Sequence, residues 1–583
     1  MGCLRLPIRL QWAATLLALG VPLVGCAADQ DVSSALKSRI ESLASGDRLQ
    51  VAGDAIAARR FLSDFYRSRE FNPAWRSAQR QEQLLAVVEA SARHGLDPRD
   101  YHPQAIRALR RDLAQVAGRA GEADRLADLD LLLSDALARL VYHLRFGKTD
   151  PRDLYPDWRF SRTLGLIDPI QAFETLIASE DLAEAVERYA RQLPLYPRLR
   201  EALMRYRAIE AAGGWRAISS GTPLKRGMRD VRVGALRARL AATDRLAAEQ
   251  NAEAELFDEA LESAVRGFQR QHGLEDDGVV GAATLKALNV PIAARIEQLR
   301  VNLERLRWVA QDLRDDYLLV DIAAFSARLV LNGKVVWTSR VVIGRPYRKT
   351  PAFRATMQSI VLNPSWVVPP TILREDVLPR LLKDPNYLQK NEMYVLDDVG
   401  RRVDPSNIDW ARYRGAKFPY RIVQPPGPAN PLGQIKFDFP NPYGVYLHDT
   451  PAKQLFQRRE RAFSSGCIRL EQAHALAVLL LDIGDPRQWG MRALSALIAS
   501  GETRKLPVIL PVPVIALYLT VDVDEDGTIA FRPDLYGQDQ KLASAMAEPF
   551  RFRPIDRPPA PRPAPYARTP SDSRARRSPS ARS

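Results

Sequence analysis

Cys467, in Phe463-Ser-Ser-Gly-Cys-Ile-Arg-Leu470, and His448, nineteen positions upstream in Tyr446-Leu-His-Asp-Thr-Pro451, are the residues of this chain best matched to a chemical task. Thiolate is the nucleophilic form of cysteine, and an imidazole within reach can take the thiol proton and later exchange it with an amine. Val445 to His448 reads as a strand, and Ser464-Ser465-Gly466-Cys467 as a turn feeding a helix from about Glu471 to Leu481. A turn before a helix offers free backbone N–H groups and the helix's positive end, and both favour thiolate. The N–H groups near Gly466 and Cys467 are candidates for an oxyanion hole, and Arg469 suits a carboxylate or the bracing of the loop. Taken singly, a cysteine is most often a small buried hydrophobe and a strand histidine a structural residue. The order His, then Ser-x-Gly-Cys-x-Arg, is what argues for chemistry. His474 is an alternative base, expected on the following helix and toward solvent. Asp449 is unsuited to orient His448, because strand neighbours point to opposite faces.

The other cysteines explain why this thiol stands out. Cys3 lies within an apparent export signal: Arg5 and Arg9, then an apolar stretch from Trp12 to Val24, then small residues at Gly25, Ala27 and Ala28. Cys26 closes the string Leu23-Val24-Gly25-Cys26, which fits a lipoprotein cleavage box. The expectation is a periplasmic protein anchored to a membrane by lipid on Cys26, with simple cleavage and release, or an uncleaved anchor, as alternatives. An unpaired cysteine in an oxidising compartment is a hazard unless its reactivity is wanted. The apolar stretch is too short for a comfortable span. Val508 to Leu519, interrupted by Pro511 and Pro513, reads as a buried strand.

Elements to hold such a site are abundant. The 583 residues, 46% of them hydrophobic, can build two or three cores. The expected fold is multidomain: an α-helical scaffold at 34–215, a small three-helix bundle at 224–290, a β-rich catalytic domain at 315–545, and a disordered basic tail at 551–583. The scaffold carries apolar residues at three- and four-residue spacing, and its His94, His102 and His143 are scattered. In that region no His-x-His or Cys-x-x-Cys spacing suggests a metal. A connecting helix is expected from Ala293 to Leu313. Strands follow at Tyr317–Ile322, Ala327–Leu331 and Val335–Ile343, the last two joined at Asn332-Gly333. Asn363-Pro364-Ser-Trp366 closes another strand. From about 369 to 431 the strand pattern breaks into helical pieces and Pro-rich loops, an insertion of a size to cap a cleft. The net charge of +15 is strongly basic. Export argues against nucleic acid, so anionic wall polymers or lipid headgroups are the fitting surfaces.

In the bundle, Phe268, Gly273, Asp277, Gly278, Gly281 and Thr284 fall in a pattern that resembles the peptidoglycan-binding domain of wall enzymes. His448 with Ser464-x-Gly466-Cys467-Ile-Arg469, and the upstream Gly344 and Thr350-Pro351, resemble the signature of the YkuD-type L,D-transpeptidases. The layout is similar to their large Gram-negative subgroup. The resemblance implies that Cys467 attacks the third residue of a tetrapeptide stem, expels D-alanine, and passes the acyl group to the diaminopimelate amine of a second stem, making a 3→3 cross-link. It implies His448 as base, Trp366, Tyr446 and Arg469 along the donor site, no metal or organic cofactor, and acylation by carbapenems. Water as acceptor would make a carboxypeptidase and a protein lysine a lipoprotein-tethering enzyme. A non-catalytic wall-binding lipoprotein is the reading from another class. The order His before Cys disfavours papain-like and NlpC-type peptidases.

Overall fold

The computed structural model describes residues 24–45, 50–155, 158, 162, 167–190, 193–243, 254–310, 316–413, 418–483 and 489–553. Residues 1–23, most of the expected export signal over 1–26, and residues 554–583 of the expected tail lie outside them. Cys26 falls in the first turn of helix α1 (Val24–Ala44), its side chain outside the described part. Among the described residues, no helix is long and apolar enough to cross a membrane.

The N-terminal region is helical and built around α2 (Glu122–Phe146), which is buried along almost its whole length from Leu129 to Leu144. A helix surrounded in this way must satisfy every polar group it carries. The Asp130 carboxylate accepts from Tyr66 Oη and from the amides of Ala74 and Trp75. The three scattered histidines are also committed: His94 to Tyr196, His102 between Asp54 and Asp135, and His143 to Tyr101.

Helix α3 (Leu195–Ala211) leads to the small bundle, whose α4 (Glu259–Gln271) starts where Asp258 accepts from the Leu261 amide at 2.8 Å. Leu261, Ala264, Val265 and Phe268 face its core. The side chain of Gln269 gathers Asp277, Gly278, Val279 and Thr284 around itself. The pattern residues Asp277, Gly278 and Thr284 are therefore occupied in holding the turn.

The expected connector is α5 (Ile292–Val309), and it is no mere link. It packs on α3 and on the catalytic sheet, and buries Arg295, Asn302, Glu304, Arg305 and Arg307. Glu304 accepts from the Thr149 amide and from Arg307, while Arg305 reaches Asp539 in helix α7 (Gln538–Ala547), which follows α6 (Ala473–Asp482). These buried charges thus join the helical region to the catalytic domain.

The catalytic domain folds on β1 (Tyr317–Asp321), β2 (Ser326–Leu331), β3 (Lys334–Gly344), β4 (Phe353–Thr356) and β5 (Ser359–Leu362). Between these and the later strands lie β6 (Trp366–Val367), β7 (Tyr394–Leu396), β8 (Arg402–Val403) and β9 (Arg421–Gln424). The sheet is completed by β10 (Ile435–Asp438), β11 (Leu447–His448), β12 (Ala462–Ser464), β13 (Ile468–Leu470), β14 (Arg504–Pro507) and β15 (Pro513–Leu517). Its order is β14-β5-β10-β11-β13-β3-β2-β1-β15-β4, with β12 paired to β3. The alternation of β1 serves two cores: Leu318 and Val320 join the cluster that includes α6, and Leu319 joins the one beneath α5.

Three expectations change. The insertion is not free of strands: β6, β7, β8 and β9 form a separate sheet in the order β8-β7-β9-β6 over a core of its own, including Leu373, Val377, Leu388, Val395 and Ile422. The cap therefore starts at Trp366 and not at 369, because that strand pairs with β9. Short strands interrupted by Pro-rich loops leave too little alternation to read from sequence. The tail also starts later than 551. Phe552 packs on Tyr142 at 4.7 Å, and Arg553 pairs with Asp150 at 3.7 Å, fastening the end of the catalytic domain to the helical region.

Candidate active site

Strand register brings the site together. β11 and β13 run parallel with Leu447 beside Ile468 and His448 beside Arg469, and β10 runs antiparallel with Lys436 opposite His448 and Phe437 opposite Leu447. Leu447, Ile468 and Phe437 are fully buried in the core that includes α6. Side chains alternate, so Lys436, His448 and Arg469 share the other face, together with Tyr446 and Cys467, two residues before His448 and Arg469 respectively. The Ile468 amide donates to the Tyr446 carbonyl at 3.0 Å and ties the two strand entries together. Lys436 Nζ lies 4.0 Å from the centre of the Tyr446 ring and 3.3 Å from Asp438.

His448 is buried, and its Nδ1 donates to the Asp449 carbonyl at 2.5 Å. A carbonyl only accepts, so this bond puts the proton on Nδ1 and leaves Nε2 as the basic nitrogen of the neutral ring. Asp449 thus orients the histidine through its backbone. Its carboxylate is engaged elsewhere, by the Gln434 amide and Lys453. Burial, with the positive charge of Arg469, pushes the His448 imidazole down to about 4, against the opposing pull of the Asp449 and Leu432 carbonyls. His474, expected toward solvent, is partly buried and bonds Gln434 at 2.9 Å.

The turn that carries Cys467 departs from its expected setting. Cys467 does not feed a helix: β13 intervenes, and α6 begins only at Ala473. The helix's positive end is therefore too far along the chain to favour thiolate. Burial raises the Cys467 thiol, opposed by the Tyr446 backbone and by the charges of Arg469 and Lys436. The resting pair is accordingly thiol and neutral imidazole. The Gly466 amide is not free for an oxyanion either, since it donates to Ser464 Oγ at 3.1 Å, while Ser464 Oγ donates to the Cys467 carbonyl at 2.6 Å. Among the described residues the Cys467 amide has no acceptor, and it is the N–H left to receive an oxyanion. Gly466 itself sits at φ +115°, a conformation that a side chain would strain.

The upstream motif proves to be the brace of this turn. Thr350 Oγ1 donates to the Gly466 carbonyl and accepts from the Gly344 amide, both at 2.8 Å, and Tyr536 Oη donates to the Gly344 carbonyl at 2.6 Å. Any Cβ on Gly344 would overlap the Arg348 carbonyl. Thr350→Val keeps the shape but strands a buried amide and carbonyl, so we expect it to destabilise the protein by about 1–3 kcal/mol. A thermal unfolding midpoint unchanged within a degree would refute that role.

Trp366 is half-buried against the cap's core, placed by the cap and not by the catalytic sheet. Ser465 Oγ accepts from Arg348 at 2.9 Å. Lys436 and Arg348 were not singled out from the sequence. Lys436 had a signal, the alternation Ile435-Lys-Phe-Asp-Phe439, which puts a lysine on the face opposite the core. Arg469 remains available: its Nε is buried with no hydrogen-bond partner among the described residues. Among those residues no group of three or more His, Cys, Asp or Glu converges to hold a metal ion.

Comparison with known proteins follows the same division. Residues 60–203 match the family model described as "Scaffold domain", 229–288 that of "Putative peptidoglycan binding domain", and 315–486 that of "L,D-transpeptidase catalytic domain". A curated protein of Haemophilus influenzae described as "Putative L,D-transpeptidase" is 36% identical over 246 residues, covering 42% of this chain. The chain spans about half, 49%, of that relative's length. Among solved structures, an L,D-transpeptidase from Mycobacterium smegmatis is 15% identical over 35% of this chain and 58% of its own, with a TM-score of 0.17. One from Xylanimonas cellulosilytica is 14% identical over 51% of this chain and 99% of its own, with a TM-score of 0.15.

Proposed function

This chain carries a YkuD-type L,D-transpeptidase catalytic domain beside scaffold and peptidoglycan-binding domains, and from that premise we propose that it forms 3→3 cross-links in peptidoglycan through a thioester on Cys467. The observation that supports this most is the register that puts Cys467, His448, Arg469, Tyr446 and Lys436 on one sheet face, with His448 held by its Nδ1 and Nε2 left basic.

In the proposed reaction a tetrapeptide stem presents the carbonyl of its third residue to Sγ. His448 Nε2 takes the thiol proton as the S–C bond forms, because a neutral pair has no thiolate waiting. The Cys467 amide receives the oxyanion. The tetrahedral adduct collapses, the peptide C–N bond breaks, and His448 returns the proton to the departing D-alanine amine. The side-chain amine of a second stem then attacks the thioester carbonyl. His448 accepts its proton and passes it to the leaving sulfur, so that the thiol is restored. The donor's carboxylate meets Arg469, whose buried Nε seeks an acceptor, beside the Lys436 ammonium. The cap, rooted at Trp366, encloses the donor and limits water. In this reading the protein is exported, lipidated at Cys26, and works in the periplasm, with carbapenems acylating Cys467.

The deciding experiment incubates the protein lacking residues 1–26 with disaccharide-tetrapeptide and reads products by mass spectrometry. A cross-linked dimer with loss of D-alanine is expected. Tripeptide alone would make the acceptor water, and no product with no carbapenem adduct on Cys467 would leave wall binding as the function. Removing the anion receiver is also informative. Arg469→Ala should raise KM for the tetrapeptide by roughly 10- to 100-fold, the worth of one charge-assisted hydrogen bond, with a smaller change in kcat. An unchanged KM would take the carboxylate away from Arg469.

A further inference from the structure

Arg348 lies in the loop between the Gly344 end of β3 and Thr350, the segment that braces the nucleophile turn. Its side chain is 10% exposed, and its guanidinium is shared between two structural units. Toward the catalytic domain, Nη1 donates to Ser465 Oγ at 2.9 Å, two residues before Cys467. Toward the cap, Nε and Nη2 donate to Glu375 Oε2 at 3.1 and 2.8 Å, and Nη1 also pairs with Asp376. Glu375 and Asp376 sit on a single π-helical turn, Leu373–Val377, inserted between the helical turns Pro370–Ile372 and Leu378–Leu381. Such turns break helical regularity and recur at functional sites.

The division of Nη1 is the informative detail. An arginine that only fastened the cap would spend its donors on the two carboxylates. This one gives a share of one nitrogen to a hydroxyl of the nucleophile turn, and its planar fork cannot turn toward one partner without changing its angle to the other. Its backbone is engaged on the same side, since the Lys349 and Arg348 carbonyls border Gly466 and Thr350 holds the Gly466 carbonyl. Movement of the cap's π-helical turn is thereby transmitted to Ser465 through one rigid group.

We infer that Arg348 is a positioning residue that couples the seating of the cap to the placement of Cys467, so that the thiol is set for attack when Glu375 and Asp376 are docked on it. The inference rests on the reading of Cys467 as nucleophile. Its test uses the mature full chain and three readouts: hydrogen exchange of 370–382 and of 463–467, the alkylation rate of Cys467 by iodoacetamide located by peptide mapping, and kcat and KM on disaccharide-tetrapeptide. Glu375→Gln with Asp376→Asn should speed exchange in both segments, change the alkylation rate at least threefold, and lower kcat tenfold or more with KM within threefold. Arg348→Lys, which lacks the fork, should fall between this variant and the wild type. In a Ser465→Ala background the carboxylate changes should still loosen 370–382 but alter alkylation and kcat less than twofold further. Faster cap exchange with 463–467, alkylation and kcat unaltered would overturn the inference, as would carboxylate effects of full size without the serine hydroxyl. Coupled exchange and alkylation in a protein that makes no product would uphold the inference while removing the proposed reaction.

Discussion

Replacing Cys467 by alanine should abolish product formation, a loss of at least about a thousandfold, while leaving the thermal unfolding midpoint nearly unchanged. The large effect follows from the proposed chemistry: of the residues named on that sheet face, Cys467 alone carries a thiol to form the thioester. The small structural cost follows from location. Cys467 is half-buried at the end of a turn held by other groups, Ser464 Oγ, Thr350 Oγ1 and the Ile468 amide. The thiol itself yields a sharper test. Because burial raises it above its ordinary value, its alkylation rate should climb with pH through the alkaline range, with no plateau below pH 8. A thiolate titrating below pH 7 would mean a preformed ion pair with His448 and would overturn the neutral-pair mechanism.

His448→Ala should slow acylation by about a hundred- to ten-thousandfold, the usual worth of a positioned general base. Its pH dependence has a definite sign. The folded-state imidazole is pushed down to about 4, below the ordinary 6.5, so the base is neutral and competent across the neutral range. Activity should therefore survive mild acid and fail as pH falls through about 4. The same shift affects folding. Between 6.5 and about 4 the unfolded chain takes a proton that the folded chain refuses, so stability present above 6.5 is lost as pH falls, by at most about 3 kcal/mol, and levels off below. Thermal unfolding of wild type and His448→Gln across that range reads this directly, since the glutamine variant should lose less. Parallel loss in the two proteins would show that His448 is not the group responsible. Arg469→Ala removes a charge that holds the imidazole down, so it should move the acid limit of activity upward.

These expectations rest on features of unequal visibility in the sequence. The candidate pair was legible because its signal is local: a Ser-x-Gly-Cys-x-Arg turn after a strand histidine is a matter of residue types and short spacings. The small bundle was legible for the same reason, through a capping aspartate, one apolar helix face and a glycine turn. The cap was visible only as a break in strand pattern, and its own sheet was missed because its strands are two to four residues long. The thiolate argument failed on three residues, Ile468–Leu470, which pair as a strand where a direct passage into the helix was expected.

What the sequence determined alone is therefore the order of domains and the choice of Cys467 and His448 as the candidate pair, since both are written in neighbouring residues. What only the tertiary structure decided is how that pair is set. The parallel register of β11 with β13 puts His448 and Cys467 on one face, and the β10 pairing adds Lys436. The Asp449 backbone, in place of any carboxylate, fixes the imidazole. Arg348 joins the turn to cap carboxylates that follow this arginine by 27 and 28 residues, while Ser465 in the turn lies 117 residues after it. Each of these depends on which distant segments lie side by side, and burial at their junction sets the direction in which thiol and imidazole are shifted. Residue type carries the capacity for proton transfer; the register of non-local strands supplies the orientation and the low dielectric in which it operates.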